Sequence, residues 1–147
     1  MNFKSIPSEF EYLSWPEVGN IAKDKRSTVI WPFGAVEQHG PHLPLATDSI
    51  FVDEIICEVL KLLPSDIPLK KLPTQYIGFS PEHKGFDGTI SLSSNLITSM
   101  IKEVGAQLSV MGFKRLILIN AHGGQISLLN TAARELRSFA PKLSIFP

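Results

Sequence analysis

"KRLILINAHGGQISLLNTAARELRSF" (residues 114–139) reads as three pieces in a fixed order. Residues 114–120, KRLILIN, are an apolar run rich in Leu and Ile and form the clearest strand of the chain. AHGGQ (121–125) makes a turn. ISLLNTAARELRSF (126–139) is an amphipathic helix with its arginines toward the end, where positive charge suits the exposed carbonyls. A strand that turns at once into a helix is the building unit of parallel α/β sheets, so this stretch sets the reading of its neighbours.

Outward from it the same alternation continues. After Pro141, residues 142–147 (KLSIFP) begin another strand-like run. Before it, a long helix starts at about Ser94, with Leu96, Ile97, Met100, Ile101, Val104, Leu108 and Met111 on one face and Gly112 as its stop. SPEHKGFDGTISLSS (80–94) is polar and turn-rich, and IPLKKLPTQYIGF (67–79) is a second strand weakened by two prolines. TDSIFVDEIICEVLKLLP (47–64) spaces Ile50, Phe51, Ile55, Ile56, Val59, Leu60 and Leu63 as a helix does, with Thr47 as N-cap and Pro64 as stop. STVIWPF (27–33) is a buried strand, with Trp31 packed in the sheet core, and Trp15 belongs to an N-terminal helix. Strand, helix, strand, helix, strand, helix, strand predicts an α/β fold of three layers, α/β/α, with a mostly parallel sheet covered on both faces.

Composition narrows the function classes. The 147 residues suit one domain, and 44% hydrophobic with 19% charged residues is ordinary for a globular chain. Lys plus Arg equals Asp plus Glu at 14 each, so nucleic acid and anionic membranes are not expected partners. Cys57 is the only cysteine, which rules out an internal disulfide and suits a reducing, cytoplasmic setting. MNFKSIPSEFEYL at the start has acids and no continuous apolar core, so it does not read as a signal peptide. No apolar run approaches the roughly 20 residues that span a bilayer.

The chemistry lies in two loops. WPFGAVEQHGPHLPLATD (31–48) follows the first strand and is too broken by Pro and Gly for regular structure, yet it carries Glu37, His39, His42 and Asp48. In an open α/β sheet, ligands bind beyond the carboxyl ends of the strands. Glu37 and His39, two apart, leave an extended backbone on the same face. Asp48 arrives with the next helix, and His122 comes from the other strand end, followed by two glycines. Two carboxylates and two imidazoles make a mixed oxygen and nitrogen set that Zn²⁺, Mn²⁺ or Fe²⁺ takes. An Asp in such a set can bridge two ions about 3.5–4 Å apart. The competing reading makes each of these an ordinary surface or capping group.

FGAVEQHGPHLPLATD resembles the signature of the creatininase family of metal-dependent amidohydrolases, with its Glu-x-His-Gly-x-His-Leu-Pro and an Asp nine residues after the first His. YIGFSPEHKGFDGTISL is similar to the family's segment with a Ser, a His and Phe-x-Gly-Thr, and INAHGGQ to its Asn-Gly-His-Gly-Gly-Asn. The three motifs stand in the family's order over residues 32–125. The resemblance implies a binuclear Zn or Mn centre (Fe is the further candidate) with Glu37, His39, Asp48 and His122 as ligands and Asp48 as the bridge. It also implies attack by an activated water on a small-molecule amide, cyclic or formyl, at a carbon–nitrogen bond other than an ordinary peptide bond. Ser80 and Gly123 match positions near the substrate; His42 lies within the signature and reads as a loop-bracing group rather than a ligand.

Two departures qualify what the resemblance implies. Creatininase itself has an acid on the second metal two residues after the last motif's His, where this chain has Gly124. A replacement is then expected from a Glu farther along a family chain, and occupancy nearer one ion than two. Gly123 stands at a creatinine-binding position, which argues against creatinine. Family chains also run on past the point matching Pro147, so the 147 residues are read as one creatininase-like domain lacking its C-terminal part. An incomplete member serving as a metal-binding scaffold, or needing a partner chain, is the alternative. An uncovered strand edge near Leu143, Ile145 and Phe146 predicts a homo-oligomer. Cys57 is expected as a core thiol, Lys70 and Lys71 as solvated edge residues, and His83 at a pocket rim or a solvated turn.

Overall fold

A computed structural model describes residues 8–147, so the first part of the N-terminal stretch read for a leader lies outside the described residues. Helix α1 (Trp15–Ala22) precedes strand β1 (Thr28–Phe33). Helix α2 (Thr47–Leu62), strand β2 (Leu69–Lys71), helix α3 (Ser94–Met111) and strand β3 (Arg115–Asn120) follow. Helix α4 (Ile126–Phe139) and strand β4 (Ser144–Phe146) close the described chain.

The four strands form one sheet in the order β2-β1-β3-β4, and every pair is parallel. The connection after β1 runs outward to β2, and the chain then crosses back to β3 on the other side of β1. The carboxyl ends of β1 and β3 are therefore neighbours at the point where the strand order reverses, the usual crevice for a ligand in an open sheet. Trp31 pairs with Leu118 and Phe33 with Asn120 along this central ladder.

Both faces of the sheet are packed, as the α/β/α reading requires. Val29, Trp31 and Phe33 point to the larger core, with Leu116 and Leu118 of β3, Ile97 and Ile101 of α3, and Leu129 and Leu136 of α4. Trp31 and Phe33 meet ring to ring, their centroids 4.7 Å apart. Ile30 points the other way, onto Val52 and Ile56 of α2. Every residue of β1 is buried, as befits a central parallel strand. α3 ends at Gly112 in the left-handed region (φ 105°), the stop expected from the sequence.

Several expectations shift. Thr47 is the first residue of α2 and not its cap; its hydroxyl donates to the Pro44 carbonyl at 2.6 Å. The buried stripe of α2 is Ser49, Val52 and Ile56, while Ile50, Phe51, Ile55 and Val59 remain exposed. Cys57, one residue around the helix from that stripe, is exposed as well, so it is no core thiol. The second strand shortens to Leu69–Lys71 because Pro73 has no N–H to continue the ladder. The segment nonetheless stays beside β1, with the Leu72 N–H donating to Ile30 O and the Gln75 N–H to Pro32 O. Lys70 is 5% exposed and not a solvated edge residue; burial pushes its ammonium below the ordinary lysine range, against the pull of Glu9 and Glu17.

Asp53 of α2 fastens the helix to the segment after β2. Thr74 Oγ1 donates to it at 2.5 Å and Tyr76 Oη at 2.8 Å, and Lys71 Nζ lies 3.2 Å away. Burial pushes its carboxyl up, but these donors and the Lys71 charge outweigh that and hold it below the ordinary value. A carboxylate lowered in the folded state contributes stability above its unfolded pKa of about 3.9, and loses it as pH falls through the lower folded value. Asp53→Asn is therefore expected to lower Tm at pH 7 and to flatten the fall of Tm on acidification below about pH 4. Thermal melts from pH 7 to 3 check this; an unchanged acid limb contradicts it.

Candidate metal centre

The loop after β1 has to bring Asp48 back over the strand end from which it started. Gly34 makes the return possible. A Cβ there would stand 2.1 Å from Ser49 Oγ and 2.7 Å from the Ser49 Cα, so only glycine lets the first turn of α2 sit on the end of β1. Gly40, with φ 75°, takes a left-handed turn in the middle of the loop. Asp48, in the first turn of α2, presents its charge where the helix dipole favours an anion.

Four of the side chains picked out from the sequence converge. Asp48 Oδ1 lies 3.0 Å from His39 Nε2, and Asp48 Oδ2 lies 3.3 Å from His122 Nδ1. Each carboxylate oxygen of Asp48 thus faces a different imidazole. Glu37 Oε1 lies 3.2 Å from His122 Nδ1 and 3.9 Å from His39 Nε2. Glu37 and His122 are both 4% exposed.

The orientation of the two imidazoles decides what this cluster can hold. The other nitrogen of His39, Nδ1, lies 3.1 Å from the Glu37 carbonyl, and the other nitrogen of His122, Nε2, lies 2.9 Å from the Phe79 carbonyl. A carbonyl only accepts, so both of these nitrogens carry the proton. In the neutral rings, the remaining nitrogens turn lone pairs toward carboxylate oxygens, a repulsive contact unless a cation stands between them. Backbone carbonyls fixing the tautomer in this way are the usual support of metal-binding histidines. Glu37 Oε2 and Asp48 Oδ2 are buried with no hydrogen-bond donor among the described residues. Buried charged acceptors without a donor carry a large desolvation cost that a divalent ion removes. For His39, burial alone pulls the pKa down, but the Glu37 carbonyl and the Asp48 carboxylate reverse this and raise it. A proton is then the cation that competes for the same place. Glu37, His39 and Asp48 offer ligand atoms within 4.8 Å of one another, close enough for one ion.

The remaining sequence candidates divide. Ser80 is fully buried behind His122, its Oγ 3.3 Å from Nε2, while Gly123 is open, with nothing within 4 Å of where a Cβ would stand. Gly123, Asn120, His122 and Ile126 line a cleft of about 570 Å³ beside the cluster. His83 comes to the rim, its Nε2 3.8 Å from Glu37 Oε1 and its Nδ1 3.0 Å from Gln38 Nε2. His42 is exposed, its ring next to Gly40.

One bracing residue escaped the sequence reading. Gln125 is fully buried, accepts from the Phe79 N–H at 3.2 Å, and donates to Gly34 O at 3.1 Å and to Asn120 Oδ1 at 3.0 Å. Asn120 in turn donates to the His122 carbonyl at 2.7 Å. One amide thus ties together the end of β1, the end of β3 and the segment that carries Phe79. Its place directly after His-Gly-Gly was the only available signal. Glu82, exposed on a short turn, lies beside His122, its Oε1 3.8 Å from Nε2.

Known proteins resemble this chain in sequence and in fold. The model of the creatininase family, described as creatinine amidohydrolase, matches residues 11–145. The mycofactocin precursor peptide peptidase of Mycobacterium tuberculosis is 34% identical over 117 residues, covering 76% of this chain and 46% of that protein. The creatinine amidohydrolase of Pseudomonas putida is 27% identical over 134 residues, covering 85% of this chain and 50% of that protein. A crystal structure of creatinine amidohydrolase superposes with a TM-score of 0.79 at 25% identity, over 97% of this chain and 58% of that one. A related solved structure is a manganese form of creatininase, with a TM-score of 0.78. The chain spans about half the length of the curated relatives it matches. With a family model matched over nearly its full length and a parallel sheet that brings the motif residues to one crevice, the chain belongs to the creatininase family.

Proposed function

We propose that the protein is a metal-dependent amidohydrolase, with Glu37, His39, Asp48 and His122 as the ligands of a Zn or Mn centre and Asp48 bridging two ions. One observation carries this reading: both imidazoles are held by backbone carbonyls, so their free nitrogens meet the oxygens of Asp48. A divalent ion bound there supplies Lewis-acid polarisation of an amide carbonyl and a water nucleophile at neutral pH. The residues of this chain hold the centre rigid: Phe79 and Ser80 brace His122, and Gln125 fixes the two strand ends. Nothing stands within 4 Å of where a Cβ at Gly123 would be, and the cleft there borders the proposed ligands at His122.

The substrate class we propose is a small cyclic or formyl amide. A second reading, a peptide amide, is supported by the mycofactocin precursor peptide peptidase, 34% identical over 117 residues. Chelator-sensitive hydrolysis, abolished by His122→Ala, of a panel holding formyl amides, lactams and short peptides separates the two. Turnover of peptides alone favours the second reading, and no turnover of any member contradicts the enzyme reading for this chain.

We place the protein in the cytoplasm on the strength of its single cysteine, and among the described residues no helix is long and apolar enough to cross a membrane. We also propose a homo-oligomer. Phe51 and Phe146 are 62% and 50% exposed, and β4 is an edge strand of the sheet that the described residues form, although Leu143 and Ile145 are buried. Sedimentation is expected to give a mass above 16.2 kDa; a well-behaved monomer contradicts this.

A further inference from the structure

We infer that His83 is a substrate-binding residue that donates its Nε2–H to the acyl oxygen of an amide held at the cluster, with Gln38 as the positioning residue that keeps the proton on that nitrogen. The inference rests on the metal reading above and deepens it, since it concerns the substrate and not the ligands. Gln38 stands between the proposed ligands Glu37 and His39, yet its own side chain reaches across to the neighbouring loop. The Ile90 N–H donates to Val36 O at 2.9 Å and the Gln38 N–H to Thr89 Oγ1 at 3.2 Å. These bonds dock the segment carrying His83 on the loop carrying Glu37.

A backbone N–H fixes where the His83 proton sits. The Gly40 N–H only donates and lies 2.9 Å from one end of the Gln38 amide, so that end is the carbonyl oxygen Oε1. The other end is the NH₂ group, 3.0 Å from His83 Nδ1. An amide NH₂ only donates, so Nδ1 accepts and the neutral ring carries its proton on Nε2. That nitrogen has no lone pair for a metal ion, so His83 is not a further ligand. It lies 3.8 Å from Glu37 Oε1, beyond hydrogen-bond distance, and has no acceptor among the described residues. The His83 side chain is 28% exposed, which leaves it within reach of an incoming molecule beside Glu37. Phe86 packs against the ring edge to face, with centroids 6.2 Å apart. A fixed N–H beside the cluster, without an acceptor of its own, suits an acyl oxygen that gains negative charge as its carbon is attacked.

Every amide hydrolysed at such a centre leaves a carboxylate that keeps the acyl oxygen, so formate serves as the probe. The zinc-loaded wild type, His83→Phe and Gln38→Met are compared by zinc content, formate titration and nitrogen NMR of the imidazole rings. The wild type is expected to show His83 in the Nε2–H form, with its signals shifting as formate is added. These wild-type shifts carry the test should either variant fail to fold. His83→Phe should keep its zinc and bind formate about three- to tenfold more weakly, the worth of one hydrogen bond. Gln38→Met should keep its zinc and show His83 as a mixture of both tautomers. A wild-type His83 with its proton on Nδ1, signals that do not move with formate, or equal formate affinity in His83→Phe overturns the donor role. Loss of zinc in His83→Phe overturns it too, because the ring is then a brace of Glu37. A single Nε2–H form in Gln38→Met overturns the part given to Gln38. No zinc in the folded wild type overturns the metal reading beneath both.

Discussion

Asp48→Asn is expected to empty the proposed metal centre. Each carboxylate oxygen of Asp48 faces a different histidine, at 3.0 Å and 3.3 Å, so losing its charge weakens both ion positions together. Loss of an outer hydrogen-bond partner of a metal ligand costs about 10–100-fold in affinity, and removing a bridging ligand is expected to exceed about 100-fold for both ions. Glu37→Gln should mainly weaken one ion, because Glu37 Oε1 lies 3.2 Å from His122 Nδ1 but 3.9 Å from His39 Nε2. Metal analysis of the two variants side by side checks this. Equal and mild losses from both would contradict a bridge at Asp48.

Gln125→Ala is expected to cost the most stability for a single change near the site. Its amide satisfies the Phe79 N–H, the Gly34 carbonyl and Asn120 Oδ1, all at the buried junction of three segments. Asn120 Oδ1 keeps the His122 N–H at 3.2 Å, so two groups, the Phe79 N–H and the Gly34 carbonyl, lose a partner at about 1–3 kcal/mol each, roughly 3 kcal/mol together. For a chain of this size that corresponds to a Tm lower by about 10 °C. The same change frees the loops carrying Glu37 and His122, so metal affinity should fall although no ligand is touched. A melting temperature within about 2 °C of wild type would show that water or repacking replaces the amide.

Much of this was legible in the sequence because it depends on local pattern. Residues 114–139 gave strand, turn and helix directly, since an apolar run with a period-3.6 helix behind it has few alternatives. The first loop announced Glu37, His39 and Asp48 because prolines and glycines exclude a regular element there. What escaped depends on which face meets the sheet. In α2 seven apolar positions fit a helical stripe, but the contact with β1 runs through Val52 and Ile56, leaving Phe51 and Ile55 exposed and turning Cys57 outward. Lys70 alternates inward on an edge strand, which composition cannot reveal. Gln125 acquires its role only when the strand order brings β1, β3 and the segment carrying Phe79 to one crevice.

The most direct test of the metal centre is elemental analysis of the protein purified without chelators, with its fold confirmed by circular dichroism. The expected result is at least one equivalent of Zn or Mn per chain, removed by a chelator and restored on adding the ion back. A folded protein carrying only traces of any transition metal would contradict the assignment of Glu37, His39, Asp48 and His122 as its ligands.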